Sequence, residues 1–397
     1  MRIAQIAPLQ ESVPPVAYGG TERVVSWLTE ELVRRGHDVT LFATGDSVTS
    51  ATLVPIVPRA LRPAGVPDYQ AATVLAVGRA LERAAEFDLV HSHIDVPAIP
   101  FAHLIKTPVV FTTHGRLDQP WVRLLYDAYA DVRLVSVSDN QRRLLPHWNW
   151  QGTVYNGIGL SEYTFYPRGG DYLAFLGRIS SEKGIEEAIQ VARLAGVPLK
   201  IAAKIDPADR KYYEERVAPL LRGPLVEYVG EINQQEKDIF LGRALALLFP
   251  IRWPEPFGLV MAEAMATGTP VIAGRFGSVP EVIEDGRTGF ICDSVEEMAL
   301  AAERVAELDR ATCRSVVEQR FSAGTMAAGY EAIYQRLVQE RMPDTAAAAE
   351  TRLREARLAA AAALDGDLPP KPISIGPSST RDGASNGKVL LHTDGAD

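Results

Sequence analysis

Glu255 and Glu263 stand eight positions apart in the run Glu255-Pro-Phe-Gly-Leu-Val-Met-Ala-Glu263-Ala-Met-Ala. A carboxylate offers two acceptor oxygens, so each can grip a vicinal diol of a sugar. Gly258 to Thr267 is free of proline and rich in helix formers, which predicts a short helix. At about 1.5 Å rise per residue it sets the two carboxylates roughly half a nucleotide sugar apart. Its first N–H groups have no partner inside the helix and suit a phosphate. One glutamate can then hold a ribose and the other a hexose, with a diphosphate between them. The residues alone equally allow a solvated helix glutamate and a loop charge.

A second group of residues suits the same chemistry. Gly177-Arg178-Ile-Ser-Ser-Glu182-Lys183-Gly184 puts a glycine turn and two cations ahead of a helix expected over 185–195. Two cations plus oriented N–H donors are what a diphosphate needs where no metal neutralises it. Tyr18-Gly19-Gly20-Thr21-Glu22 precedes an amphipathic stretch over 23–35, with Thr21 expected as N-cap and the glycines admitting a ligand close to the backbone. His91-Ser-His93-Ile-Asp95 offers three possible metal ligands at a strand end. Such groups more often make ordinary hydrogen bonds, so an acceptor pocket is expected there rather than a metal. His114 ends a buried apolar run before Gly115, and Ser138 sits in Ser136-Val-Ser138-Asp139-Asn140, which caps the next helix.

Short apolar runs at 3–7, 38–42, 89–93, 108–113, 134–137 and 153–155 read as strands separated by helical stretches, among them 69–86. Residues 47–68, which include a proline-rich excursion at 55–67, read as loop, as do 10–18. The alternation predicts a doubly wound parallel sheet with ligands at the strands' carboxyl ends, where His91, His93, Asp95 and His114 fall. Tyr155-Asn156-Gly157-Ile158 reads as a hinge in which the glycine supplies special φ angles. Runs at 172–176, 199–203, 226–229, 245–249, 270–273 and 289–292 predict a second sheet, and Phe276 to Glu281 reads as a structural turn. The expected organisation is an N-terminal domain over 1–160, a second over 161–323, a closing helix over 324–342, an alanine-rich helix over 343–365 and a disordered tail over 366–397.

The Glu255 to Ala266 run, followed by Gly268-Thr-Pro-Val, resembles the signature of the family 4 retaining glycosyltransferases. The similarity spans roughly residues 1–340. It implies the GT-B fold, an α/β architecture of two Rossmann-like domains facing each other across a cleft, with a C-terminal helix crossing back to the first. It further implies transfer of a hexose from a nucleotide diphosphate sugar to an acceptor hydroxyl, retaining and metal-independent, with UDP-glucose favoured and GDP-mannose next. On that resemblance His114, Arg178, Lys183 and Glu255 are catalytic, and Glu263 holds the ribose. Gly19, Gly20, Ile232, Pro256, Phe257, Gly258, Leu259 and Val260 complete the donor site. Tyr18, His91, His93, Asp95 and Ser138 are acceptor-side candidates. A phosphorylase of the same fold and a catalytically idle sugar-nucleotide-binding protein are the alternatives.

The 397 residues, 47% hydrophobic with a net charge of −9, suit packed globular cores rather than a general nucleic-acid binder, which needs clustered lysine and arginine. Two cysteines, Cys292 and Cys313, are too few for a disulfide framework, and no apolar stretch reaches the length of a membrane span. A cytoplasmic protein needing no cofactor, able to form a homo-oligomer, is expected. The single Asp365-Gly-Asp367 triplet lies in the tail and gains no catalytic metal role.

Overall fold

The computed structural model describes residues 1–143 and 145–340, all within one compact unit. The expected alanine-rich helix, the tail and its Asp-x-Asp triplet lie outside the described residues.

Two parallel sheets form the body. The first contains β1 (Arg2–Ile6), β2 (Asp38–Thr44), β3 (Thr52–Val57), β4 (Leu89–Ser92), β5 (Val109–Thr113), β6 (Arg133–Ser136) and β7 (Trp150–Thr153), in the order β3-β2-β1-β4-β5-β6-β7. The second contains β8 (Leu173–Arg178), β9 (Leu199–Lys204), β10 (Val226–Gly230), β11 (Ala246–Phe249), β12 (Val271–Gly274) and β13 (Gly289–Cys292), in the order β10-β9-β8-β11-β12-β13. Central strands such as β4, β5, β11 and β12 are buried along their whole length, as strands covered by helices on both faces must be; β11 and β12 are continuous apolar runs, while β4 and β5 turn polar at their carboxyl ends, at His91-Ser92 and Thr112-Thr113. β3 occupies part of the segment expected to be loop. Its Pro55 is tolerated because β3 is an edge strand, where a missing N–H breaks no essential ladder bond.

The chain passes between the domains twice, and the two crossings touch. Ile158 pairs with Ser322, and a Cβ on Gly157 would lie 2.3 Å from the Ser322 carbonyl oxygen. Gly157 is thus required by close approach of two backbones, and not by the special φ angle expected of it. Nearby, Glu281 joins the domains: its carboxylate accepts the backbone N–H groups of Asp139 and Asn140 at 2.7 and 2.6 Å and the Tyr155 hydroxyl at 2.9 Å.

After the second crossing, the helix Ala323–Gln339 starts on a Ser322 cap, whose hydroxyl accepts the Thr325 N–H. Met326, Ala327, Tyr330, Ile333, Tyr334 and Leu337 recur at helical spacing and are buried. This apolar stripe packs the helix on the helix Gly20–Arg34 of the N-terminal domain, where Glu331 takes both Arg35 and His37. Tyr330 and Tyr334 reach further, to Thr112 at 2.8 Å and to His91 at 2.6 Å.

That last bond corrects one acceptor assignment. His91 is fully buried between Tyr334 and Thr112, on the side of β4 facing the closing helix, and does not line the cleft. Residues two apart share a face of a strand, so the alternation could not separate His91 from His93; His93 lies just past the end of β4, and only the packing of the closing helix on His91 tells them apart. Ser138 is also corrected: its hydroxyl is buried and accepts the Gln141 N–H at 3.2 Å, capping the next turn instead of meeting a ligand.

Candidate active site

A cleft of about 1070 Å³ opens between the carboxyl ends of the two sheets. On one side the helix Gly20–Arg34 begins at Gly19, and Thr21, expected as the cap, lies inside its first turn. No side chain caps this helix. A Cβ on Gly19 would lie 2.7 Å from that of Pro15, and one on Gly20 would lie 3.5 Å from Leu259. Leu259 opens the helix Leu259–Ala266 on the opposite wall, whose N-cap Gly258 takes a left-handed conformation (φ 72°) and likewise provides no side-chain cap. Two helix starts without a side-chain N-cap among the described residues therefore face one cleft, each with the positive end of its dipole.

Two cations line the same cleft. Arg178 ends β8, and Lys183 closes a short turn before the helix Ile185–Ala195. Gly184 between them and that helix is left-handed, and a Cβ there would lie 1.9 Å from the Pro250 carbonyl oxygen, so only glycine lets the turn lie against the signature loop. Lys183 Nζ bonds Glu255 Oε2 at 2.5 Å and sits 5.3 Å from the centre of the Trp253 ring. Arg178 donates to Glu182 at 2.7 Å and lies 3.4 Å from Asp209. Each cation is held in place by a carboxylate before any anion arrives.

Glu263 is 5% exposed. Its Oε1 takes both Lys237 Nζ at 2.5 Å and the Tyr163 hydroxyl at 2.8 Å. Burial alone would raise its pKa; Lys237, then Arg23 and Tyr163, outweigh burial and hold the carboxyl below the usual carboxylate range. The group is ionised at neutral pH and lines the cleft, and both of these bonds fall on Oε1. A solvated helix glutamate is thereby excluded.

Lining the same cleft are Tyr18, Gly19, Gly20, His93, Asp95, His114, Arg178, Lys183, Ile232, Glu255, Pro256, Phe257, Gly258, Leu259, Val260 and Glu263. His91 and Ser138 are absent from it. Sequence reasoning missed Arg23, Lys204, Lys237, Asn156 and Tyr163. Arg23 stands three positions after Gly20, and its Nη2 donates to the carbonyls of Pro15 and Ala17, each at 3.1 Å, which shapes the glycine loop. Lys237 had no local signal, because its partner lies 26 residues further along the chain.

His93 Nδ1 lies 2.9 Å from His114 Nε2, and His93 Nε2 lies 3.1 Å from Gln5. Burial pulls the pKa of His114 down to about 4 and that of His91 to about 3, and it takes His93 well below its ordinary value. His114 therefore meets a ligand as a neutral hydrogen-bonding ring. The same shifts govern stability. Between pH 6.5 and about 4 the unfolded chain binds protons that the folded chain refuses, so stability is complete above 6.5 and declines as pH falls toward 4. At pH 5 the expected loss is about 2 kcal/mol each for His91 and His114, from 1.5 pH units, and His93 adds to it in the same direction. Thermal melts at pH 7.5, 6 and 5 check this, and an unchanged melting temperature would remove the buried neutral cluster.

The fold and the site together define a class: a GT-B glycosyltransferase, with two Rossmann-like domains and a phosphate-ready cleft between them. The family models for "Glycosyltransferase Family 4" and "Glycosyl transferases group 1" match residues 18–162 and 165–316. A glycogen synthase of Mycobacterium tuberculosis is 30% identical over 351 residues, covering 75% of this chain and 84% of that protein. The sucrose-phosphate synthase of Thermosynechococcus elongatus superposes with a TM-score of 0.69 at 21% identity, covering 85% and 98% of the two chains. Anabaena HepE in complex with UDP and glucose gives 0.65 at 19%, covering 85% and 100%. The chain belongs to the family 4 glycosyltransferases. Among the described residues no helix is long and apolar enough to cross a membrane.

Proposed function

We propose that this glycosyltransferase moves a hexose from a nucleotide diphosphate donor, UDP-glucose in the first instance and GDP-mannose next, to an acceptor hydroxyl with retention at the anomeric carbon. The observation that carries this reading is that two helix starts without a side-chain cap, Arg178 and Lys183 all line one cleft. Such preorganised donors and cations stabilise negative charge as it grows on a departing diphosphate. In the reaction the bond from the anomeric carbon to the phosphate oxygen breaks and a bond to the acceptor oxygen forms. The acceptor's proton passes to the departing phosphate, on the same face. Glu255, held by Lys183, takes hydroxyls of the hexose, Glu263 Oε2 takes the ribose, and His114 adds a neutral hydrogen bond beside the transferred sugar. The HepE complex supports a uridine donor on this fold.

Because the protein supplies the positive charge, the reaction is expected to run without a metal ion. Purified protein is screened with nucleotide sugars by thermal shift, where a ligand at 100 times its Kd adds about 2.7 kcal/mol. The donor so identified is then assayed for nucleotide release with and without EDTA. Full activity in EDTA is the expected result. Loss in chelator, restored by magnesium or manganese, would end the metal-free mechanism, and no stabilisation by any nucleotide sugar would end the donor assignment.

A further inference from the structure

The N-terminal wall of the cleft carries charges that the donor does not need. Glu22, in the first turn of the helix Gly20–Arg34, is 5% exposed, lines the cleft and makes no ion pair among the described residues. Burial pushes its pKa up, and the backbone N–H groups of Glu22 and Glu11 and the more distant charge of Arg62 offset this only in part. Asp95, whose two oxygens already accept the Val96 N–H at 2.8 Å and the Tyr126 hydroxyl at 2.9 Å, and the exposed Asp68 line the same wall. Its two cations are already engaged. Arg62 donates to Glu11 at 2.7 Å, and Arg23 holds the Pro15 and Ala17 carbonyls. An anionic acceptor would bring like charge against these carboxylates in a partly desolvated site, which is unfavourable. A hydroxyl, by contrast, donates to a carboxylate, and the adjoining Tyr18 and Tyr69 add apolar faces with polar tips.

We propose that the acceptor is a neutral polyhydroxyl compound, a sugar or polyol without phosphate or carboxylate, whose hydroxyls donate to Glu22. This rests on the nucleotide-sugar reading of the opposite wall. The full chain, with the donor found in the thermal screen, is assayed for nucleotide release in water alone. It is then assayed with glucose, maltose, trehalose or glycerol, and with glucose 6-phosphate, malate or glycerol 3-phosphate.

The expected result is acceleration over water by about tenfold or more with at least one neutral compound and with no anionic one. Acceleration by an anionic compound equal to the best neutral one, or by no neutral compound, overturns the proposal while leaving the donor reading intact. No donor binding and no release overturns the donor reading, and the acceptor proposal with it. Glu22→Gln should raise KM for the accelerating acceptor about tenfold, the effect of a lost charged hydrogen bond, and more than it raises KM for the donor. An unchanged acceptor KM removes Glu22 from the acceptor site.

Discussion

Replacing Lys183 with alanine is expected to lower kcat by about 100-fold or more, the effect of removing one preorganised stabiliser of charge that develops in the transition state. The structure sharpens the reason. Lys183 is bonded to Glu255 at 2.5 Å, with both side chains largely buried, and it lies against Trp253. Its loss removes a cation from the leaving diphosphate. It also leaves Glu255 without a partner, a carboxylate facing the incoming phosphates. Donor KM should therefore rise as well, although the larger change falls on turnover, because charge on the leaving group grows as the bond breaks. Lys183→Arg keeps the charge with another shape and should recover part of the loss. Steady-state kinetics on the three proteins is the check. Wild-type turnover in the alanine variant would mean that the cleft does not stabilise a departing diphosphate through this residue.

Glu263→Ala is expected to act on folding and binding together. From the sequence alone Glu263 is not expected to be a core group, and the alanine variant is expected to remain folded. The structure contradicts that: the carboxylate is buried and paired with Lys237, which is itself shielded. Breaking such a pair from one side leaves an uncompensated buried charge and costs about 3–5 kcal/mol. Glu263→Gln retains the shape and an acceptor oxygen and should cost less. A protein with Glu263→Gln and Lys237→Met together removes both charges and should recover stability relative to Glu263→Ala. Nucleotide affinity measured well below each melting temperature separates the two roles. UDP is expected to bind more weakly to all three proteins, because the ribose loses an ionised acceptor. Binding of UDP as tight as in the parent by Glu263→Ala would place the ribose elsewhere, and an unchanged melting temperature would contradict the buried pair.

The contrast between these two residues shows what was legible. Glu255 and Glu263 were visible as a spaced pair because the strand, loop and helix that carry them are contiguous in the chain, so local periodicity sets their separation. Arg178 and Lys183 were visible for the same reason, as were most strands, whose apolar runs match the observed β9, β11 and β13 to within a residue or two. The histidines were visible as chemistry but not as directions. His91 and His93 differ by two positions, yet one bonds the closing helix through Tyr334 and the other faces His114 and the cleft. The arrival of a helix more than 200 residues further on decides which is which.

By itself the sequence determined two doubly wound domains, the glycine turn that carries Arg178 and Lys183, the signature helix, and the place of the interdomain crossing. All of these depend on spacings of a few residues, which backbone geometry converts directly into position. Only the tertiary structure decided how ionisable groups are paired. Lys237 with Glu263, Lys183 with Glu255, and Glu281 with the Asp139 and Asn140 N–H groups join segments separated by 26, 72 and about 140 residues. Nothing local encodes such pairs. A charge in water is satisfied by solvent wherever it lies in the chain, and it must find a specific partner only when folding removes that solvent.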